Sequence, residues 1–386
     1  MHLSVLMGSK RSEVLPFQAM EVLNAANRLE QAGEHVLHME VGQPGAPVPD
    51  SVLKVAHEYL SSGRLGYTEA QGIPLLKKSI ARYYKQTFGL EVPESRIFAT
   101  TGSSAGFNLA FLAGFDRGDR IAITSPGYPA YRNIIEVLGL ECVEIEVGPE
   151  TRWSLTPEIL EEVHKEKPLK GVLVASPANP TGTMMSPEAL KALVEACEAM
   201  DLWFISDEIY HGLAYDMREE TALRFTDKAI IVNSFSKYYC MTGWRIGWMV
   251  LPEVLVRPIE RIAQSLYISP PELAQVTAAA AFDAVEDYEK IKAGYAANRQ
   301  VLLDHLPQLG FDVLPVDGAF YVYAGVSKLT NDSMDFCQRM LAETHIAATP
   351  GVDFDLTRGH QFMRFSFAGK EADIKLAVER LESWLK

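Results

Sequence analysis

The chain has 386 residues, enough for a large core domain with a smaller one beside it. Its 48 % hydrophobic and 22 % charged residues are ordinary globular usage and exclude a disordered or collagen-like chain. A formal net charge of -14 excludes the broad basic face that phosphate backbones and anionic membranes require, so no nucleic acid and no membrane is expected as a partner.

The opening "MHLSVLMGSKRSEV" has only a short apolar run, and no window approaches the roughly 18 apolar residues of a spanning helix. Cys142, Cys197, Cys240 and Cys337 form no C-x-x-C pair, which predicts neither a disulfide framework nor a zinc site and fits a cytoplasmic protein. "LPFQAMEVLNAANRLEQAG" reads as a helix, so residues 1–45 are expected to form an N-terminal segment packed with the C-terminal part. Between residues 97 and 252 come seven apolar, β-branched runs: "RIFAT", "RIAITS", "ECVEIEV", "GVLVAS", "LWFISDE", "AIIVNSFS" and "RIGWMVL". Most lie too far apart for hairpins and have helical patterns between them, which predicts an α/β fold with a seven-stranded, mostly parallel sheet between helices. Two of those helices announce their starts, with Thr156 and Ser186 as N-caps and Pro157 and Pro187 at the first helical positions. After about residue 285 a long polar helix is followed by "FDVLPV", "GAFYVYAGV", a helix over "SMDFCQRMLAETH", the strand "FMRFSFA" and a closing helix. This order predicts a large domain over 46–285 and a small α+β domain over 286–386.

In open α/β sheets functional groups gather at the carboxyl ends of the strands. Here those ends carry "PANPTG" with Asn179, "DEIYHG" with Asp207 and Tyr210, and "SFSKYY" with Ser234, Ser236 and Lys237. Taken singly, an Asn before proline is an ordinary turn residue, an Asp at a strand end an ordinary cap, and a lysine ordinarily solvated. Together they point to chemistry, because a lysine buried behind an apolar strand must find a partner or lose its charge. A neutral amine is a nucleophile, and condensation with a carbonyl is its characteristic reaction.

In order and spacing, "SPANPTG", "SDEIY", "SFSKYYCMTGWRIG" and "MRFSFA" resemble the motif set of class I/II pyridoxal-phosphate aminotransferases of fold type I, over about residues 42 to 364. The resemblance implies that pyridoxal 5'-phosphate is the cofactor, that Lys237 forms a Schiff base with it and then serves as the base that moves the Cα proton, and that Asp207 faces the pyridine nitrogen. It further implies that Asn179 and Tyr210 bond the phenolic oxygen and that Tyr128 stacks on the ring. Ser103, Ser104, Ser234 and Arg245 would hold the phosphate, the first two at a helix start suited to an anion. Arg364 and Gly42 would take the substrate's α-carboxylate, and Tyr67 would reach the phosphate bound by a partner subunit, which implies a homodimer with a shared active site. Two departures stand out: Cys240 replaces a usual Gly, Ala or Ser, and the phosphate turn reads Gly-Ser-Ser.

The expected reaction is transfer of an amino group from an L-amino acid to a 2-oxo acid by a ping-pong cycle. The same constellation also serves C–S β-lyases, and the motifs around the ring do not separate the two. A non-catalytic regulator built on this fold would need a DNA-binding module, for which the residues before Gly42 leave no room. No metal motif is present, and His211 reads as structural. "QGIPLLKKSIARYYK", although basic and aromatic, reads as a solvated helix face. A dicarboxylate donor would require a further cation, for which Arg11, Arg64, Arg132 and Arg358 are candidates. "GAFYVYAG" and "SLYISPPELAQ" could line a pocket for a neutral or hydrophobic side chain, the preferred reading.

Overall fold

The computed structural model describes residues 8–63 and 65–386; the opening "MHLSVLM" and Arg64 lie outside the described residues. After β1 (Leu37–His38), the predicted apolar runs form β2 (Ile97–Thr100), β3 (Arg120–Ser125), β4 (Glu141–Glu146), β5 (Gly171–Ala175), β6 (Trp203–Asp207), β7 (Ile230–Ser234) and β8 (Gly247–Val250). These last seven make one sheet in the order β2-β8-β7-β6-β5-β3-β4. All neighbours are parallel except β8, which is antiparallel to β2 and β7. The exception has a local cause. A parallel return needs a long crossover, normally a helix, whereas the segment between β7 and β8 holds only a 3₁₀ turn and must double back. Ser234 and Gly247 therefore sit opposite each other, and the loop between them carries Lys237 and Arg245 over the carboxyl end of β7.

Apolar side chains cover both faces of the sheet, as a parallel arrangement demands. Ile231 and Trp248 face a core with Leu76, Ile80, Leu193 and Val194. Ile230, Val232 and Met249 face the opposite one with Phe107, Phe111, Leu255 and Ile259. The capping signals hold: Ser186 accepts the Ala189 N–H at 3.2 Å, and Thr156 that of Ile159 at 3.4 Å.

Four short strands, β9 (Asp312–Val313), β10 (Tyr321–Gly325), β12 (Thr349–Pro350) and β13 (Phe362–Ser366), form an antiparallel sheet in the order β12-β13-β10-β9. The strand expected over "FDVLPV" shrinks to two residues, since Pro315 cannot donate to a ladder. Strand β11 (Ile346–Ala347) pairs in parallel with β1 and so fastens the N-terminal segment to the C-terminal part.

A second fastening is electrostatic. His38 lies between Glu40, 2.7 Å from its Nδ1, and Glu30 of the helix Gln18–Gln31, 3.3 Å from its Nε2. The hydrogen bond to Glu40, aided by both negative charges, pushes the imidazole up to about 8 against the effect of burial. Since the folded value is the higher one, the stabilisation is complete below about 6.5 and lost as pH rises through about 8. His38→Gln protein is expected to melt about 2 °C below wild type at pH 6 and to match it above pH 9, as read by thermal melts at both pH values.

Candidate active site

The carboxyl ends of β2, β3, β5, β6 and β7 open onto a cavity of about 300 Å³. Ser103 and Ser104 reach it from beyond β2, Tyr128 from beyond β3, Asn179 from beyond β5, Asp207 and Tyr210 from β6 and its extension, and Lys237 and Arg245 from the loop after β7. Gly42 follows β1, and Arg364 projects from β13. Ten of the twelve residues expected at the site thus line a single cavity; Ser234 and Tyr67 do not.

The half-buried Lys237 amine donates to the carbonyl oxygen of Gly42 at 2.5 Å. Burial, seconded by the positive charges of Arg364 and Arg245, lowers its pKa to about 8, although Asp207 pulls the other way. About one amine in ten is then neutral at pH 7, against about one in a few thousand for a free lysine. Asp207 is only 3 % exposed, and that burial pushes its carboxyl up to about 6. Three contacts restrain the rise: the Tyr131 hydroxyl, the Ile209 N–H at 3.0 Å and the charge of Lys237. A cationic nitrogen facing Asp207 would secure its ionised form.

Gly102, at φ +79°, precedes the helix Ser103–Gly114, whose first turn has no side-chain cap. Its N–H groups and the positive end of the helix dipole therefore form an anion seat. The positive φ of Gly102 is one that side chains rarely adopt, and a Cβ there would lie 2.5 Å from Nη2 of Arg245 and push that guanidinium aside. Ser234 does not reach the cavity. Its Oγ sits 2.9 Å from the Ser236 hydroxyl and 3.2 Å from the Ile246 carbonyl oxygen, and Ser236 takes the wall position in front of it. Cys240 adopts φ +55°, so its site is constrained by backbone conformation and not only by size.

Arg364 is 3 % exposed and makes no ion pair among the described residues. It donates through Nη1 to Asn179 Oδ1 at 2.8 Å and through Nη2 to the Glu40 carbonyl oxygen at 2.6 Å. Its guanidinium carbon lies 4.3 Å from the Tyr321 ring centre and 4.7 Å from that of Phe354, while Nε is buried without a partner. A buried cation held this way lacks only an anion. Tyr321 also places its hydroxyl 2.7 Å from that of Tyr210.

Sequence reasoning missed Tyr131, Asp353, Phe354, Phe17 and the helix residue Met20, all of which line the cavity. Ser236 and, within "GAFYVYAG", Tyr321 line it too, the first singled out only as a polar group at a strand end and the second only as part of a stretch that could line a pocket. The signal for Tyr131 was available, because Pro129 opens the helix Pro129–Val137 and places residues 128 and 131 on one face. Of the arginines considered for a distal carboxylate, Arg132 pairs with Glu144 and Arg358 with Asp355. Neither of these lines the cavity, nor does Arg11, and Arg64 is outside the described residues. The stretch "SLYISPPELAQ" does not line it either, and Leu266 and Ile268 within it are exposed.

An uncapped helix start beside Arg245, a buried carboxylate, an amine with lowered pKa and an unsatisfied buried guanidinium fit a phosphate, a pyridine nitrogen, an aldehyde and a carboxylate in turn. Sheet and donor set together define a fold type I pyridoxal-phosphate enzyme. The chain belongs to the family "Aminotransferase class I and II", whose model matches residues 34–381.

It is 48 % identical to the valine--pyruvate aminotransferase of Mycobacterium tuberculosis, over 97 % of both chains. It is 30 % identical to an aspartate aminotransferase of Sulfolobus acidocaldarius, over 92 % of this chain and 91 % of that one. Among solved structures, an aminotransferase from Mycobacterium tuberculosis superposes with a TM-score of 0.97 at 46 % identity, covering 99 % of each chain. Aspartate aminotransferase from Thermus thermophilus with maleate gives 0.92 at 29 % identity, covering 99 % of this chain and 100 % of that one. The protein is a pyridoxal-phosphate-dependent aminotransferase that moves amino groups between amino acids and 2-oxo acids. The C–S lyase alternative is not favoured.

Proposed function

We propose that the amino donor is a neutral, aliphatic L-amino acid such as valine and the acceptor a 2-oxo acid such as pyruvate. One observation carries this reading. Among the described residues the cavity's cations are Lys237, Arg245 and Arg364, which leaves none for a second substrate carboxylate once cofactor and α-carboxylate are held. The remaining wall includes Phe17, Met20, Val41 and Phe354. The valine--pyruvate relative supports the same choice.

Bound pyridoxal phosphate supplies an aldehyde for amines and an electron-withdrawing ring that acidifies the substrate's Cα–H. In our reading Lys237 holds it through the amine nitrogen and, once displaced by the substrate's amino group, carries the proton away from Cα. Asp207 keeps the ring nitrogen protonated. Asn179, whose Oδ1 already accepts from Arg364, has its amide N–H left for the phenolic oxygen, which Tyr210 also serves. Tyr128 covers the ring, and Ser103, Ser104 and Arg245 hold the phosphate, with Ser234 supporting Ser236 from behind. Arg364 receives the α-carboxylate beside Gly42.

Tyr67 is 83 % exposed, and the exposed Leu60, Leu65, Leu266 and Ile268 accompany it. Glu272 fixes this loop through the Gly66 N–H at 2.8 Å. An ordered apolar surface of this kind supports a homodimer in which Tyr67 completes the partner's site. The seven-stranded and four-stranded sheets, with their separate cores, and the β1–β11 pair that joins the N-terminal segment to the C-terminal part support the division into 1–45, 46–285 and 286–386. The four free cysteines support a cytoplasmic setting.

The test adds amino acids singly to cofactor-loaded protein and follows its visible spectrum together with oxo-acid and ammonia products. Valine is expected to convert the spectrum without ammonia and pyruvate to restore it, with kcat/KM for aspartate about 100-fold lower. Equal use of aspartate would overturn the neutral-donor reading, and ammonia as the main product would overturn transamination.

A further inference from the structure

The helix Gln18–Gln31 begins with Phe17 at its N-cap, which offers no side-chain acceptor. The first N–H groups of a helix must nonetheless be satisfied. Here the acceptor comes from the far end of the chain: the Asp353 carboxylate accepts the N–H of Gln18 at 2.8 Å and that of Ala19 at 3.2 Å. Asp353 is 4 % exposed and stands on the cavity wall, next to Phe354, whose ring packs on Arg364. On the helix side of this joint, Phe17, Ala19 and Met20 line the same cavity, and Phe17 stacks on Tyr128 with ring centres 6.1 Å apart. One carboxylate thus fastens an apolar roof to the wall beside the arginine. It also places a carboxylate on the cavity wall; burial pushes that group up from its ordinary value, while the Gln18 and Ala19 N–H groups and the charges of Arg364 and Arg132 hold it down.

We infer that Asp353 determines donor specificity, in two ways. It seats Phe17 and Met20 as the apolar roof over the substrate's side chain, and its charge repels a second substrate carboxylate. Discrimination of this kind combines an attractive apolar wall with an element that penalises the wrong ligand. The inference rests on the neutral-donor reading above.

The experiment uses cofactor-loaded full-length protein and compares valine with aspartate as donor, pyruvate being the acceptor. Asp353→Asn keeps the size and one acceptor but removes the charge. It is expected to reduce the valine-to-aspartate ratio of kcat/KM by about tenfold or more. Asp353→Ala removes the joint as well, and is expected to raise KM for valine about tenfold while lowering kcat less. It should also speed limited proteolysis within residues 17–31, a readout independent of turnover. A ratio unmoved by Asp353→Asn, or proteolysis of Asp353→Ala at the wild-type rate, would overturn the inference. Wild-type protein that uses aspartate as well as valine would instead overturn the neutral-donor reading, so the two failures are distinguishable.

Discussion

Lys237→Ala protein is expected to lose the visible absorption band of bound pyridoxal phosphate and about 10⁴-fold in kcat. The loss is this large because one amine is proposed to serve twice, as the group that anchors the cofactor aldehyde and as the base for the Cα proton. Among the described residues no other lysine lines the cavity. The neighbouring cations cannot substitute, because guanidinium groups do not release their proton near neutral pH. The same amine sets a pH dependence in the wild type. Only its neutral form attacks an aldehyde, and burial beside Arg364 has brought its pKa down to about 8. Uptake of pyridoxal phosphate by cofactor-free protein is therefore expected to accelerate about tenfold per pH unit up to about 8 and then to level. Stopped-flow absorbance at several pH values measures this, and a flat profile from pH 6 to 8 would count against the amine. Retention of band and turnover by Lys237→Ala would remove Lys237 from the mechanism altogether.

The second large effect is expected at Asp207. Replacement by Asn preserves shape and the bond from the Ile209 N–H but cannot hold a proton on a facing ring nitrogen, so kcat should fall about 10²- to 10³-fold. Stability should move the other way. Burial raises the Asp207 carboxyl from its ordinary 3.8 to about 6, so the cofactor-free fold binds that proton more tightly than the unfolded chain does. Its contribution is full below about 4 and lost as pH rises through about 6. At pH 8 the ionised group burdens the fold by about 2–3 kcal/mol, which Asn relieves. Cofactor-free Asp207→Asn is thus expected to melt a few degrees above wild type while being nearly inactive, the pattern of a residue kept for function at the expense of the fold. Calorimetry of both proteins without cofactor decides it: a lower melting temperature for the variant would mean that Asp207 supports the fold.

Most of this arrangement could be read from local patterns. Apolar runs marked all seven strands of the large sheet, and their carboxyl ends supplied Asn179, Asp207 and Lys237, because in a parallel sheet those ends share one edge. Ser234 shows the limit of that reading. β7 ends at Ser234, whose hydroxyl turns back to Ser236 and the Ile246 carbonyl oxygen, and the turn beyond the strand brings Ser236 to the cavity; the motif does not carry the path of that turn. Tyr321 lay within a stretch read as able to line a pocket, but the residue of that stretch that meets the cavity was not marked. All five residues of β10 are buried, so no polar alternation marks the face that looks into the site. Asp353 left no trace at all. It works through two backbone N–H groups at the opposite end of the chain, and neither its loop nor its helix shows a period that would pair them. Cys240 could be placed by motif, but its positive φ belongs to the loop as a whole and not to any residue type in it.

The cavity takes its roof from residue 17 and its buried arginine from residue 364. A ribosome would release the segment carrying Lys237 well before it reached β13, and β1 would wait for β11 as its partner. Contacts between such distant stretches form late, since closing long loops costs entropy before the contacts repay it. During synthesis the nascent chain therefore displays an amine without its carboxylate clamp or its lid. Competence to discriminate among amino acids comes only with the final strand, so a chain truncated before Arg364 could retain an aldehyde-binding lysine yet have no means of choosing what to do with it.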